Sequence, residues 1–213
     1  MLKQKEVLDK IESWIKQNIP DLLTDLNDGA SNDDILDLER RLDVSMPVSF
    51  KTLYLQHNGQ KGDVHSGLFY GMTFLSIENI FAQWSSWDGY YKDIQMVTKE
   101  SKYCKSIPEN RIKKMIANPK WIPIAYDHGG NYFGIDLDPD ESGNLGQVIN
   151  FGKDESTKYV IASDLTLFLA WYAQELEGGN FSIEVHEGEG VEFNTLRPPT
   201  SHFLDSCKVL FKT

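Results

Sequence analysis

The sequence predicts an α+β fold, because the spacing of its apolar residues changes twice along the chain. Apolar residues recur at helical intervals before residue 60, alternate between Trp121 and Gly152, and return to helical spacing after Ser163. They make up 40% of the composition, against 25% for charged residues, which suffices for a core. We therefore expect helices, then a block of consecutive strands, then a further helix.

The length of 213 residues is that of one large domain, or of one domain with an appended segment. Charged residues interrupt every apolar run before it reaches the ~20 residues that a membrane helix needs. The N-terminus has neither the apolar stretch nor the cleavage site of a secretion signal. Cys104 and Cys207 lack the spacing of a zinc site and are expected to be free thiols, so we interpret the chain as cytoplasmic.

Three helices are predicted before residue 60. The first spans residues 3–19 and should end at Pro20, whose ring cannot continue a helix. The second should begin at Ser31, because its hydroxyl can cap the amides ahead and an acidic residue occupies the capping-box position. The third has Pro47 near its first turn, and Gly59 is expected to stop it in the left-handed conformation.

The middle of the chain has a less regular pattern. The segment "GLFYGMTFLS" (67–76) resembles a strand, and Ser76 should cap the helix that follows it. Residues 88–120 are expected to hold polar helical segments with a loop around Pro108. This stretch includes a basic cluster, in which seven basic residues stand against two acidic ones between Lys99 and Lys120.

Three strands are predicted in the segments "WIPIAYD", "NYFGIDLD" and "GQVINFG". A tight His-Gly-Gly turn separates the first two, and a longer acidic turn from Asp136 to Gln147 separates the last two. Ser163 should then cap an apolar helix that ends at Gly178 and Gly179. The remaining residues predict a hairpin ("FSIEVHEGEGVEF") and a short terminal helix ("SHFLDSCKVLF").

The acidic residues are concentrated in one part of the chain. The formal net charge is −11, and the segment from Asp136 to Glu192 accounts for all of it, with thirteen acidic residues and two lysines. Nonspecific binding of nucleic acid depends on neutralised phosphates, so this acidic half argues against it. An acidic surface attracts cationic partners, although the same charge also serves simply to keep a protein dissolved. The sequence leaves both interpretations open.

The acidic turn invites a calcium-binding interpretation, because carboxylates at alternate positions begin an EF-hand loop. That loop also needs Gly at its sixth position and Glu at its twelfth, where this chain has Glu141 and Gln147. An ordinary strand-to-strand turn explains the same residues. The segment "GQVINFGKD" does not match a phosphate-binding loop, because five residues separate its glycines and Asp154 follows its lysine.

Asp127 and His128 are candidates for acid–base chemistry at the His-Gly-Gly turn. No motif for a serine or cysteine nucleophile accompanies them, and Asp127 is typical of a residue that forms a turn. The segment "HEGEG" lacks the second histidine of a metalloprotease motif. The sequence therefore predicts no catalytic centre, no cofactor and no metal ion.

Several motifs follow one another in a recognisable order. A Ser-capped helix and a Pro-started helix ending in Asn-Gly precede a Trp-x-Pro-Ile-Ala strand, a Gly-rich turn and a Ser-started apolar helix. Their sequences are "SNDDILDLERRLDVSMP", "SFKTLYLQHNGQ", "WIPIAYDHGGNYFGIDLDPDESGNLGQVINFG" and "SDLTLFLAWY". This order, over about Gly29–Tyr172, resembles the SUKH superfamily, named for fungal cell-wall-assembly regulators of the Smi/Knr type and their bacterial relatives.

The resemblance implies a mixed, largely antiparallel sheet packed against several helices. It also implies a single SUKH-like domain over residues 1–213, with a core at about 29–172, the N-terminal helix 3–19 and a C-terminal extension 179–213. Bacterial members are typically immunity proteins that block a cognate toxin, and fungal members are non-enzymatic scaffolds in cell-wall signalling. The family has no catalytic residues to carry over.

The preferred hypothesis from the sequence is a non-catalytic intracellular immunity protein that binds and neutralises a cognate, cationic toxin domain such as a nuclease. The alternatives are a regulatory scaffold in cell-wall or glucan synthesis, and a metal-dependent hydrolase that uses the carboxylates of the two turns. We expect a protein partner, and no binding to nucleic acid or membranes. The predicted partner-binding residues are Tyr132, Phe133, Asp138, Asp140 and Glu141.

Overall fold

Helices form both ends of the described chain in the computed structural model, which covers residues 4–62, 66–87, 101–186, 190–196 and 202–212. Within these residues there are seven helices, and none is long and apolar enough to cross a membrane. They are α1 (Gln4–Asn18), α2 (Pro20–Asp25), α3 (Asn32–Leu42), α4 (Val48–Gln56), α5 (Ile77–Ser86), α6 (Leu165–Glu177) and α7 (Phe203–Leu210).

The same residues contain eight strands, six of which form one sheet. The strands are β1 (Thr73–Phe74), β2 (Lys105–Ile107), β3 (Trp121–Tyr126), β4 (Asn131–Asp136), β5 (Gln147–Gly152), β6 (Thr157–Ala162), β7 (Phe181–His186) and β8 (Gly190–Thr195). The sheet has the order β1-β3-β4-β5-β6-β2, in which β2 and β6 are parallel and the other pairs antiparallel. β7 and β8 form the separate hairpin that the sequence predicts. The α+β fold with a mixed, largely antiparallel sheet is therefore confirmed.

The central strands are enclosed on both faces. Every residue of β4 and of β5 is buried, and neighbouring side chains on a strand point to opposite faces. Phe133 joins the main core with the helices, whereas Tyr132 belongs to a second apolar cluster. That second cluster includes Ile112 and Met115, which precede β3. The sheet thus lies between the helices and residues 108–120, which follow the edge strand β2.

Phe69 is at the centre of the main core. The centroid of its ring lies 5.2 to 5.7 Å from four other rings, those of Phe74, Phe133, Phe168 and Tyr172. Aromatic pairs at such distances are worth about 0.5–1.5 kcal/mol each beyond the area that they bury. Because the four rings belong to β1, β4 and α6, this side chain joins the sheet to the helix that closes the core.

β3 and β4 approach each other closely at Gly134. A Cβ atom at this position would lie 2.0 Å from the backbone oxygen of Ile122, so a larger residue does not fit. The register of the two strands shifts at the same place, between Pro123 and Ala125. Such an irregularity accommodates a proline inside a sheet. Gly134 of β4 and Pro123 of β3 are therefore both explained by the close approach of the two strands.

The predicted starts of the helices are mostly confirmed. Ser31 and Asp34 form a capping box: the Ser31 hydroxyl accepts from the Asp34 amide at 3.1 Å, and the Asp34 carboxylate accepts from the Ser31 amide at 2.9 Å. Ser76 caps α5 as expected. The cap of α6 differs from the prediction, because the carboxylate of Asp164 takes the role assigned to Ser163.

Two predictions in the first half of the chain are corrected by the structure. In the strand-like segment 67–76 only β1 is extended, because Tyr70 and Gly71 have positive φ angles and turn the chain. Pro20 does more than end the first helix: it begins the short helix α2, since proline is tolerated in a first helical turn.

The prediction of polar helical segments in 88–120 is also wrong for residues 101–120, the part of this stretch that the structure describes. Residues 88–100 lie outside the described part of the chain. Residues 101–120 form turns and the strand β2 instead of helices. β2 pairs with β6, with Lys105 opposite Thr157. Local sequence does not reveal a pairing between residues so far apart, because the hydrogen-bond partners come from another part of the chain.

We expect Phe69→Ala to lower the free energy of unfolding by about 3–5 kcal/mol, because it leaves a cavity lined by four rings. Urea denaturation measures the change. The control is Phe181→Ala, which removes a half-buried ring that contacts Trp14 at the hairpin and should cost clearly less. Equal losses for the two variants would contradict the central role of Phe69.

Candidate partner-binding surface

Two buried polar side chains fix the acidic turn between β4 and β5. Asp136 ends β4 and Gln147 begins β5, and the two residues are paired in the sheet and fully buried. The side-chain amide of Gln147 donates to Asp136 Oδ2 at 2.9 Å and to the backbone oxygen of Arg111 at 2.7 Å. One amide group therefore links both ends of the turn to the segment 101–120.

Burial raises the pKa of Asp136 to about 6, because its charged form loses contact with water. The hydrogen bonds that its carboxylate accepts from the Gln147 side chain and from the Asp138 amide, both at 2.9 Å, act in the opposite direction. Asp136 thus stabilises the turn from inside and presents no charge at the surface.

The backbone of the turn is held against residues 110 and 111. The Asp140 amide donates to the Arg111 carbonyl at 3.1 Å, and the Ser142 amide donates to the Asn110 carbonyl at 2.8 Å. A Cβ atom on Gly143 would lie 2.2 Å from the same Arg111 oxygen, so this close approach requires glycine. The exposed side chains of the turn are therefore presented from a fixed backbone.

The three predicted carboxylates of the turn differ in exposure and in partners. Asp138 is half-buried, with Oδ1 at 2.5 Å from Lys113 Nζ and Oδ2 accepting from Asn118 Nδ2 at 2.9 Å. Asp140 is half-buried and accepts from the Glu141 amide at 2.9 Å. Glu141 is exposed. Glu141 and part of Asp140 are accessible to a partner, whereas the charge of Asp138 is already paired.

The two aromatic residues predicted as anchors are buried, which the sequence did not indicate. Phe133 is fully buried in the main core, where its ring packs against Phe69 and Phe168. Tyr132 is 3% exposed, and its hydroxyl donates to the side-chain oxygen of Gln83 at 2.8 Å. A strand enclosed on both faces has no free side, so neither ring can contact a partner in this conformation.

Two exposed aliphatic residues beside the turn were missed by the sequence reasoning. Leu145 is 71% exposed and Val48 is 80% exposed. Leu145 precedes Gly146 and Val48 follows Pro47, and these two neighbours lie close together, because a Cβ atom built on Gly146 would be 3.1 Å from the ring of Pro47. A leucine in an otherwise polar turn was the available signal for Leu145; nothing local distinguishes Val48. We call Val48, Asp140, Glu141 and Leu145 together the turn surface.

Several other acidic residues of this half of the chain belong to other elements of the described structure. Glu177 pairs with Lys10 of α1 at 3.3 Å, and Asp164 caps α6. Glu184 and Glu192 are paired across the hairpin of β7 and β8. The continuous acidic segment of the sequence is therefore divided into separate groups in the fold.

The carboxylates proposed for a hydrolase lie at opposite ends of β4. Asp127 and His128 precede this strand and Asp136 ends it, so roughly 17 Å of extended chain separates them. Both oxygens of Asp127 accept hydrogen bonds within its own turn, from the Gly129 amide at 2.6 Å and from the Asn131 side chain at 2.8 Å. This geometry favours the turn-forming interpretation of Asp127, and the two groups do not form one centre.

Potential metal ligands converge away from the turn surface. In the described part of the chain, the acidic turn brings no three such ligands together, whereas Glu184, His186 and Glu192 have ligand atoms within 4.8 Å of one another. All three are exposed on the β7–β8 hairpin. The calcium-binding interpretation of the acidic turn therefore has no geometric support.

We expect Asp136→Asn to change the pH dependence of stability. The pKa of Asp136 is about 6 in the folded chain, against about 4 in an unfolded one, so the folded state binds the proton more tightly. The stability due to this group is fully present below about pH 4 and is lost as the pH rises through about 6, with a total change of roughly 3 kcal/mol.

The measurement is the free energy of unfolding of the wild type minus that of the variant, from urea denaturation across this pH window. The difference should fall as the pH rises. Glu155→Gln is the matched comparison, because burial raises the pKa of Glu155 to about 7 and its difference should fall over a higher pH range. A difference for Asp136 that does not vary with pH would refute the assignment.

Comparison with known proteins places this fold and turn in one family. A family model described as the SMI1/KNR4 family (SUKH-1) matches residues 29–171, which include β1 to β6 and the acidic turn. The KNR4/SMI1 homolog 2 of Debaryomyces hansenii is 33% identical to this chain, with 85% of the chain and 37% of the relative covered.

Two further relatives have names that describe a role. The cell wall assembly regulator SMI1 of Saccharomyces cerevisiae is 32% identical, over 80% of this chain and 40% of the relative. The glucan synthesis regulatory protein of Neurospora crassa is 29% identical, over 92% of this chain and 43% of the relative. The chain spans about two fifths of the length of these relatives. The predicted superfamily is thus confirmed, and the chain belongs to the SMI1/KNR4 (SUKH-1) family.

Proposed function

We propose that this chain is a non-catalytic regulatory domain that binds a protein partner in cell-wall assembly or glucan synthesis. The turn surface is the observation that carries the proposal, because exposed acidic and aliphatic side chains project there from a backbone fixed by buried hydrogen bonds. A surface that is already ordered loses little conformational entropy on binding. Relatives named as regulators of the cell wall or of glucan synthesis support this class of function.

The turn surface combines the two components of a typical interface. Leu145 and Val48 supply the apolar centre, whose burial contributes affinity. Glu141 and Asp140 supply a negative rim, which attracts a basic partner and orients it. The mechanism is steric and electrostatic, and no bond is made or broken.

An immunity protein against a cationic toxin is the second candidate, and the acidic turn also favours it. The sequence made it the preferred hypothesis because the excess negative charge lies in one segment. The fold separates those residues, and the names of the relatives describe regulators, so the regulatory function has more support. The two candidates differ in the partner: a toxin domain in one case, a synthase or signalling protein of the same cell in the other.

A chimeric regulator tests the proposal. In Saccharomyces cerevisiae, this chain replaces the matching region of the cell wall assembly regulator SMI1. We expect the chimera to restore growth on a cell-wall-binding dye to a strain that lacks the regulator. A chimera with the double variant Val48→Asp/Leu145→Asp should restore growth poorly, because the two substitutions remove the apolar centre of the turn surface. The affinity for the partner should fall at least about tenfold.

The control variant is Val185→Asp/Leu196→Asp, which changes two exposed aliphatic residues on β7 and just after β8, in the separate hairpin. It should restore growth as well as the unmodified chimera. Thermal unfolding of the purified variants verifies that both pairs of substitutions leave the fold intact. Equal growth with both variants, or no rescue by a folded and expressed chimera, would count against the proposal.

A further inference from the structure

The segment 101–120 carries several lysines that are not part of the turn surface. Lys113 pairs with the acidic turn, and Lys120 donates to the backbone oxygen of Asp43 at 2.6 Å. Three other lysines of this segment form no ion pair with any residue that the structure describes: Lys102, Lys105 and Lys114.

These three lysines line a groove of about 460 Å³ beside β2. All three residues of β2 contribute to its lining, together with Ser101 and Cys104. Glu109 is the acidic residue of the lining, so the groove has an excess of positive charge in a chain whose net charge is −11. The local charge is therefore opposite to that of the molecule as a whole.

β2 is the outermost strand of the sheet, which gives the groove a backbone edge. Its inner side pairs with β6, and no strand of the described chain pairs with its outer side. The outer side of an edge strand presents N–H and C=O groups that can bind an extended peptide. The groove thus combines main-chain hydrogen-bonding groups with positively charged side chains.

A further lysine, Lys158, is buried behind Cys104 of the groove lining. Cys104 forms part of the lining and is 6% exposed, and its Sγ lies 3.9 Å from the Nζ of Lys158. Lys158 is 1% exposed and donates to the backbone oxygen of Glu155 at 2.9 Å. Burial lowers the pKa of Lys158, while Cys104 and Glu155 favour its charged form.

We propose that this groove binds an extended acidic segment of a protein partner. Its carboxylates would lie beside Lys102, Lys105 and Lys114, and its backbone along the outer side of β2. Tyr103, which is 74% exposed with the ammonium of Lys102 5.1 Å from its ring centroid, supplies an aromatic contact at the rim.

A protein segment fits this position better than a nucleic acid. A long polyanion would continue past the groove, and the overall charge of −11 would repel it. The acidic turn is attached to the same segment of chain through the ion pair of Lys113 and Asp138. A short acidic peptide contacts the groove alone, so less of its charge lies near the acidic surfaces of the chain.

The groove extends the proposed function without depending on it. The turn surface is acidic and apolar and suits a basic partner, whereas the groove suits an acidic one. A domain with both surfaces can hold two segments of opposite charge at once. Binding to the groove is measured directly on the purified chain, so the outcome is independent of the growth experiment with the chimera.

Fluorescence anisotropy of a labelled peptide of alternating Glu and Ser tests the proposal on the full chain. We expect saturable binding that weakens between about 50 and about 200 mM salt. The variant Lys102→Gln/Lys105→Gln/Lys114→Gln should bind at least about tenfold more weakly. The same three positions changed to Arg should retain binding, because the charge is kept.

The matched control is Lys5→Gln/Lys16→Gln/Lys61→Gln, which removes the same charge from exposed positions on α1 and after α4. It should bind the peptide like the wild type. Equal losses in the two Gln variants would show that the overall charge of the chain, and not the groove, sets the affinity, and would overturn the proposal. Tighter binding of an oligonucleotide of equal charge would assign the groove to nucleic acid and would also overturn the proposal. A change in the oligomeric mass of the chain in the variant Lys102→Gln/Lys105→Gln/Lys114→Gln would assign the groove to a second copy, with the same consequence.

Discussion

The burial of both faces of the central strands is the constraint on which the rest of the structure depends. All residues of β4 and β5 are buried, so the sheet needs a cover on each side. The helices provide one cover, with Phe69 as the common contact. On the other face, Ile112 and Met115 of the segment 101–120 pack against the strands in the second apolar cluster. The position of this segment then determines where the acidic turn and the basic groove lie.

Enclosure on both faces also explains why the buried side chains of Asp136, Gln147 and Asn150 form hydrogen bonds with each other or with the backbone. Gln147 bridges Asp136 and the Arg111 carbonyl, and Asn150 accepts from the Tyr159 amide at 2.6 Å where the register of β5 and β6 shifts. An unpaired polar group in such a position costs about 1–3 kcal/mol. These residues therefore stabilise the pairing of the strands at positions where an apolar residue would leave backbone groups unpaired.

Much of the fold could be predicted from the sequence, because its signals are local. The capping box at Ser31, the three strands after residue 120 and the terminal hairpin all depend on residues close together in the chain. The pairing of β2 with β6 could not be predicted, since the partners are far apart in sequence. The same limit applies to the surface. The adjacent Tyr132 and Phe133 do not indicate in the sequence that both faces of their strand are covered. Glu141 and Asp138 are equally acidic in the sequence, and only the fold shows that Lys113 pairs with Asp138.

The segment 101–120 also determines how the two proposed surfaces relate to each other. Displacing it from one side would expose Ile112 and Met115, at a cost of about 1.5–3 kcal/mol for each side chain, and would break the hydrogen bond of Gln147 to Arg111. A ligand can displace this segment only if it binds the displaced state more tightly than the packed state. The exposed turn residues and the groove lysines do not belong to the second apolar cluster, which holds the segment on the sheet. Binding at one surface therefore leaves the other in place. Two proposed surfaces of opposite charge, both held in place by this segment, would suit a regulator that brings partners together more than one that transmits a conformational change.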